Sequence, residues 1–396
     1  MNNRKTLLRV CALLIAALML SGCSAVVSNP VVAKVGDVEI TYSQFASLFN
    51  TYVSYGILDT STAEAIKESH KSIFDQLVNS ALPIAAAHNA GLTLTDEERA
   101  TALEGAASTL ESYLSSYQDE TIEDEAARNA AAIKAFDKDY KSNGINFAKI
   151  KAELEEAVID EALGNKMSEQ IRAGAESATE EQAKTWYDEQ IVKDREEYAS
   201  DATAYYYDNQ YYVYSGEVKP LVAPKGLFYV KHILIKTEEA EDENTISEDS
   251  AYTGADPETV AKAVLEKVKA GEDFDALIEE YGEDPGMQSE PAKSEGYSIG
   301  EGYDSVYDKA FYDAAMELKA TGDTSGLVLG SYGYHIIRRV GDVSTNPIPF
   351  ADVKEDILTF LTSQSESDVY NAAIEQWKNE IKVTTYEKRV SYVGVS

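Results

Sequence analysis

The feature that most limits the fold is a change of hydrophobic period part-way along the chain. Up to about residue 190, apolar side chains recur three and four apart: Phe45, Leu48, Phe49 and Tyr52, then Phe147, Ile150, Leu154 and Val158, then Leu163, Met167 and Ile171. That spacing lines one face of a helix. From Phe228 onward, short apolar runs appear between helical segments, Val230-Lys-His-Ile-Leu-Ile-Lys236 and Tyr334-His-Ile-Ile-Arg-Arg-Val340, and such runs read as buried strands. A chain that changes period in this way cannot close as a single all-helical or all-strand core. An α+β fold in two or three domains is predicted, in keeping with 396 residues.

Local signals set the boundaries. Val32-Ala33-Lys34-Val35 and Val38-Glu39-Ile40 flank Gly36-Asp37, which predicts a hairpin. Capping boxes at Thr41/Gln44, Ser61/Glu64, Thr95/Glu98 and Thr179/Gln182 predict helix starts, so residues 31–190 read as a mostly α-helical domain. Residues 191–227 form a connector crowded with Tyr198, Tyr205, Tyr206, Tyr207, Tyr211, Tyr212 and Tyr214. It is expected to be irregular. Its tyrosines suit either a sticky surface for unfolded chains or a linker packed on its neighbour.

In residues 228–342, Asp256-Pro257 should cap a helix carrying Val260, Val264, Leu265 and Val268 that stops at Gly271, with further helices at 274–281 and 311–318. Over residues 343–396, Val353, Ile357, Phe360, Leu361, Val369, Ala373, Trp377 and Ile381 describe a long amphipathic helix. It is expected to break or bend near 363–367 and, with its short tail, to pack on the first helical domain.

The N-terminus reads as a targeting signal. Arg4, Lys5 and Arg9 precede an apolar run over 10–20, too short to span a bilayer and ordered as in a secretory signal. Leu20-Ser21-Gly22-Cys23 resembles the lipobox of bacterial lipoproteins, which implies removal of residues 1–22, acylation of Cys23 and a tether over 23–30. The other cysteine, Cys11, lies in the removed segment, so no disulfide is expected in the mature chain. Asp and Glu number 69 against 35 Lys and Arg, a net charge of −34. Such a chain repels phosphate backbones and anionic headgroups, which excludes nucleic acid as a partner and leaves the lipid as the means of membrane attachment.

The chain has four histidines, His70, His88, His232 and His335. The last two sit in the two apolar strands. A histidine in such a strand is more often a satisfied core residue than a catalyst, but two strands bracketing an α-rich segment, each with one histidine, shift that balance. Asp284, before Pro285-Gly286, by itself suits a turn after a helix, and Ile299 and Phe311 by themselves suit a core.

Taken in order, His232-Ile-Leu-Ile, Phe274-Asp-Ala-Leu-Ile-Glu-Glu-Tyr-Gly-Glu-Asp284-Pro-Gly, Gly296 to Gly300, Phe311-Tyr-Asp-Ala-Ala, Gly322-Asp-Thr-Ser325 and Tyr332-Gly-Tyr-His335-Ile-Ile resemble the motif sequence of the parvulin peptidyl-prolyl isomerases. The flanking helices are similar, more weakly, to the chaperone portion of lipoprotein foldases of the PrsA and SurA type. The resemblance implies a small antiparallel sheet flanked by helices, inserted in a helical chaperone domain that takes in the N-terminal hairpin and the C-terminal helix. It puts the catalytic residues at His232, Asp284 and His335, and the wall that receives proline at Ile299, Tyr307, Phe311 and Met316. Three positions depart from it: Tyr297 replaces a usual glycine, Tyr307 a usual methionine, and Gly330 a frequent hydroxyl residue, with Ser331 adjacent.

The implied reaction is rotation about X-Pro bonds, in which nothing is transferred, so no nucleophile, metal or cofactor is expected. The implied partners are unfolded or partly folded secreted polypeptides. The implied location is extracytoplasmic, anchored to the bacterial cell membrane, or to the outer membrane in a Gram-negative cell. A homodimer is left open. So is a holdase lipoprotein whose parvulin domain is only a scaffold. Asp284 is assigned to the polar side near the substrate carbonyl, where burial would leave it partly protonated and able to donate a hydrogen bond to that carbonyl. The acidic residues between Glu238 and Asp249 argue against a preference for a phosphorylated residue before proline.

Overall fold

The computed structural model describes residues 29–141, 144–237 and 256–394. The expected signal peptide, Cys23, most of the tether and the acidic loop after His232 lie outside the described residues. The chain divides into two compact units, Met1–Glu176 with Gln364–Ser396, and Ser177–Ser363.

In the first unit, strands Val31–Val35 and Val38–Thr41 pair antiparallel about Gly36-Asp37, with Val35 opposite Val38. A third strand from the far end of the chain, Val383–Thr385, pairs antiparallel with the other edge of the first. At three residues it is too short to carry a period, and only the edge it joins identifies it.

Helices follow at Tyr42–Ser54, Ala63–Asn89, Asp96–Ser115, Glu125–Tyr140 and Phe147–Arg172. The box at Thr95 is complete: its N–H donates to Glu98 Oε2 at 2.7 Å and its hydroxyl accepts from the Glu98 N–H at 3.2 Å. At the second helix the cap is Thr62, which accepts from the Ala65 N–H, rather than Ser61, whose own N–H donates to Asp59.

Helix Phe147–Arg172 serves two cores. Phe147, Ile150 and Leu154 join Leu110, Leu114 and Phe136, and about two and a half turns later Leu163 and Met167 join Phe45, Phe49, Ile73, Leu82, Trp377 and Val390. The closing helix runs unbroken over Phe350–Glu380, and the division between units falls within it. The expected break near 363–367 is absent because that stretch is polar but holds neither Gly nor Pro, so nothing interrupts the backbone ladder.

The second unit begins with helices Glu180–Ser200 and Ala202–Ser215. The Tyr-rich segment is therefore helical, where irregular chain was expected. Asp201 caps the second helix by accepting from the N–H groups of Thr203 and Ala204, while Tyr198 and Tyr205 bury against Ala223, Leu227 and Tyr303. Packing of one face offsets the modest helix propensity of tyrosine.

A four-stranded antiparallel sheet follows, in the spatial order Tyr297–Ile299, Phe228–Lys236, Gly333–Asp342, Val328–Gly330. The two long strands match expectation. The two three-residue strands were not anticipated, for the same reason of length. On one face Ile233, Ile235 and Ile336 pack on helices Pro257–Lys269 and Phe274–Tyr281. On the other, Phe228, Val230 and Ile337 pack with Ile299 against helix Lys309–Met316. This last helix starts two residues before its expected place because Asp308 caps it.

Candidate active site

Register brings the histidines together. His232 lies opposite Ile337 and His335 opposite Leu234, so the two are diagonal neighbours on one face of an antiparallel pair, close enough for rings to meet. Their Nδ1 atoms are 3.1 Å apart and their ring centroids 5.2 Å. Phe311 stands edge-on to both rings, at 5.0 Å from His232 and 5.2 Å from His335.

Asp284 reaches this pair through an anchor at its neighbour. Beyond the short Tyr297–Ile299 strand, the edge of Phe228–Lys236 is taken by Glu283: its N–H donates to the Leu234 carbonyl at 2.9 Å, and its carboxylate accepts from the Lys236 N–H at 2.6 Å. Asp284 Oδ2 then lies 2.6 Å from His232 Nε2 and accepts from the Tyr297 hydroxyl at 2.9 Å, while Oδ1 accepts from the Gly286 N–H at 2.9 Å. Gly286 is required here, since a Cβ would fall 1.7 Å from the Tyr297 hydroxyl.

Burial and close neighbours shift two of these groups in different ways. Burial pushes the Asp284 carboxyl up, but the hydrogen bond and charge of His232, then the Gly286 N–H and Tyr297 hydroxyl, outweigh it and hold the group below the usual carboxylate range. Asp284 is thus held as an acceptor, and the partial protonation considered for a buried Asp284 is disfavoured. Burial first, and then the adjacent His232, lower His335 from 6.5 to about 4, against the pull of Asp308 and Asp284. His232 Nε2–H donates to Asp284 and one N–H lies between the two Nδ1 atoms, which leaves His335 Nε2 outside the network. That Nε2 is buried without a hydrogen-bond partner among the described residues.

The wall residues fall into two layers. Tyr307, Phe311 and Met316 belong to one cluster with the sheet, with Tyr307 and Phe311 rings 5.8 Å apart and the Tyr307 hydroxyl donating to the Ser298 carbonyl at 2.8 Å. Ile299 is fully buried beneath them, so it supports the wall from below.

Three residues outside the sequence-derived set join the site. Tyr297, noted only as a departure, supplies the hydroxyl on Asp284. Tyr206, from the Tyr-rich helix, packs edge-on against Tyr303 and Tyr307 at 5.6 and 5.9 Å. Asp308 caps the wall helix with one oxygen and accepts from the Ser331 hydroxyl with the other. Gly330 permits that approach, since a Cβ there would lie 2.8 Å from Asp308 Oδ1 and 3.1 Å from His335 Nε2. The missing hydroxyl at 330 thus coincides with a carboxylate from 308. Sequence spacing held no signal for either partner, because both contacts cross from one element to another. No cluster of three or more His, Cys, Asp or Glu suited to a metal occurs among the described residues.

Comparison with known proteins bears on this geometry. The family profile described as a PPIC-type PPIASE domain matches residues 232–341, and the SurA-like N-terminal domain profile matches residues 1–131. Foldase protein PrsA of Clostridium botulinum strain Hall is 28% identical over 284 residues, 69% of this chain and 67% of that protein. PrsA of the Kyoto strain is 26% identical over 409 residues, 98% of this chain and 100% of that protein. The crystal structure of PrsA from Bacillus subtilis is 18% identical and covers 92% of this chain and 98% of its own, at a TM-score of 0.23. The isomerase match takes in both histidines and Asp284, so residues 232–341 carry a parvulin-type peptidyl-prolyl cis-trans isomerase domain, in a chain that resembles foldases of the PrsA- and SurA-like type.

Proposed function

We propose that this foldase isomerises X-Pro bonds of secreted polypeptides outside the cytoplasm, tethered to the membrane by an acylated Cys23, with residues 31–190 and 343–396 serving as its chaperone part around the isomerase domain, 228–342. One observation carries the catalytic reading: the hydrogen-bonded line Asp284–His232–His335 ends against the Phe311 and Tyr307 rings. Rotation must break amide resonance against a barrier of about 18–20 kcal/mol. The site has only to favour the twisted amide over both planar forms, and about 4 kcal/mol of such preference gives about a thousandfold.

Planar resonance puts negative charge on the carbonyl oxygen, and twisting withdraws it. An Asp284 carboxylate on that side disfavours the planar form more than the twisted one, while the aromatic wall holds the ring and keeps water out. His232 keeps the carboxylate ionised and aimed, and the neutral His335 keeps His232 in register.

The test is proline isomerisation of a short X-Pro peptide by the full mature chain. Acceleration is expected. A folded chain no faster than buffer would leave the holdase reading. Cys23→Ala should move the protein from the membrane fraction to the soluble one, since its acidic surface offers no other adhesion, and continued tight membrane association would count against the anchor.

A further inference from the structure

Tyr206, which packs on the pocket wall, begins a run of aromatic contacts that leads away from the site along helix Ala202–Ser215. Tyr206 meets Tyr207 edge-on at 5.4 Å, Tyr207 stacks on Tyr211 at 6.4 Å with planes 13° apart, and Tyr211 approaches Tyr214 at 6.4 Å. Tyr207, Tyr211 and Tyr214 recur at helical spacing on one face and are 47%, 53% and 84% exposed. Single exposed aromatics need no explanation, but three in mutual register form a contiguous patch.

We propose that Tyr207, Tyr211 and Tyr214 form a second subsite for the same polypeptide whose proline occupies the pocket, taking aromatic and cationic side chains a few residues from that proline. The proposal rests on the isomerase reading. Continuity names the occupant: the ladder starts at Tyr307 in the wall, so a chain seated in the pocket is already beside it. Geometry sets the reach. Tyr206 to Tyr214 advances about 12 Å along the helix, the length of about four residues of extended chain. Chemistry sets the preference, because tyrosine rings offer rigid area at low entropy cost and a negative face to cations. Asp208 on the same helix and a net charge of −34 act in the same direction.

The experiment uses the full mature chain and two 12-residue peptides with a central Ala-Pro. One carries Tyr and Arg on both sides, and the other carries Gly and Ser. The wild type should favour the first roughly tenfold in kcat/KM and in Kd by fluorescence anisotropy. Combined Tyr207→Ser, Tyr211→Ser and Tyr214→Ser should bring both ratios close to one, and the three Tyr→Phe changes should keep them. Ratios near one in the wild type, or ratios that the serine changes leave intact, overturn the proposal. So does concentration-dependent self-association lost in the serine variant with its ratios unchanged, which would make a second copy the occupant. Failure of the isomerase reading is separately visible as absent turnover of either peptide, and anisotropy then still decides the subsite.

Discussion

His88 and His335 lie in different units, and burial pushes both toward the neutral form as its first effect. Their neighbours separate them. His88, near the end of helix Ala63–Asn89, is held between two carboxylates, with Nδ1 3.1 Å from Asp37 and Nε2 3.1 Å from Asp160. These outweigh burial and raise its pKa. His335 touches another histidine, and the carboxylate Asp284 bonds His232 instead, so the more distant pull of Asp308 and Asp284 does not outweigh its burial and it falls to about 4. Direct carboxylate contact, more than burial, sets the opposite directions in which His88 and His335 shift. One unit holds a histidine clamped between two carboxylates, and the other a neutral His335 stacked on its neighbour.

The sharpest way to break the comparison is His232→Leu. It leaves Asp284 largely buried without its main partner and His335 with both nitrogens unpaired. Isomerase kcat/KM should fall at least about a hundredfold, and stability by about 3 kcal/mol, since a broken buried pair leaves an uncompensated charge. Wild-type turnover from this variant would remove the line of hydrogen bonds from the mechanism.

Acidification comes next. Between pH 6.5 and about 4 the unfolded chain takes up a proton that folded His335 refuses, so its contribution, fully present above 6.5, is lost as pH falls toward 4. The loss is on the order of 3 kcal/mol. Urea unfolding of wild type and His335→Gln across this range should show the slope in the first and its loss in the second, and parallel curves would contradict a depressed His335.

Tyr297→Phe removes one of three donors to Asp284 and should cost about 1 kcal/mol of stability and several-fold in kcat/KM, with the activity profile moving to higher pH as the carboxyl loses a stabilising bond. An unchanged profile would show that His232 alone sets Asp284.

The smallest effect is expected at His88→Gln. The clamp's raised pKa means its contribution is fully present below about 6.5 and lost as pH rises through the folded value, opposite in sign to His335. A part-exposed clamp contributes about 1 kcal/mol or less. Hydrogen exchange at amides of the 63–89 helix should become less sensitive to pH between 6 and 8 in the variant, and undiminished sensitivity would assign the slope to other groups.

Much of the architecture was legible in the chain. The hairpin at Gly36-Asp37, the capping boxes at Thr95 and Thr179, the two histidine strands and the helix after Asp256-Pro257 all follow from local period and capping chemistry. The strands of three residues, the helical state of the tyrosine segment and the continuity of Phe350–Glu380 were not legible. Each depends on a partner surface supplied from elsewhere in the chain.

At the site the division runs along the same line. Sequence alone put His232 and His335 on strands and made Asp284 and Phe311 candidates, because apolar period and motif order are properties of neighbours along the chain. It did not set the two histidine rings against each other, and it did not show which groups hold Asp284. Only the folded chain decided those points: antiparallel register set the two rings side by side, Glu283 fastened Asp284 to the open strand edge, and Gly330 let Asp308 approach His335. Charge state is a sum over whatever lies within a few ångströms, and residues 52 and 103 positions apart become neighbours only by tertiary folding.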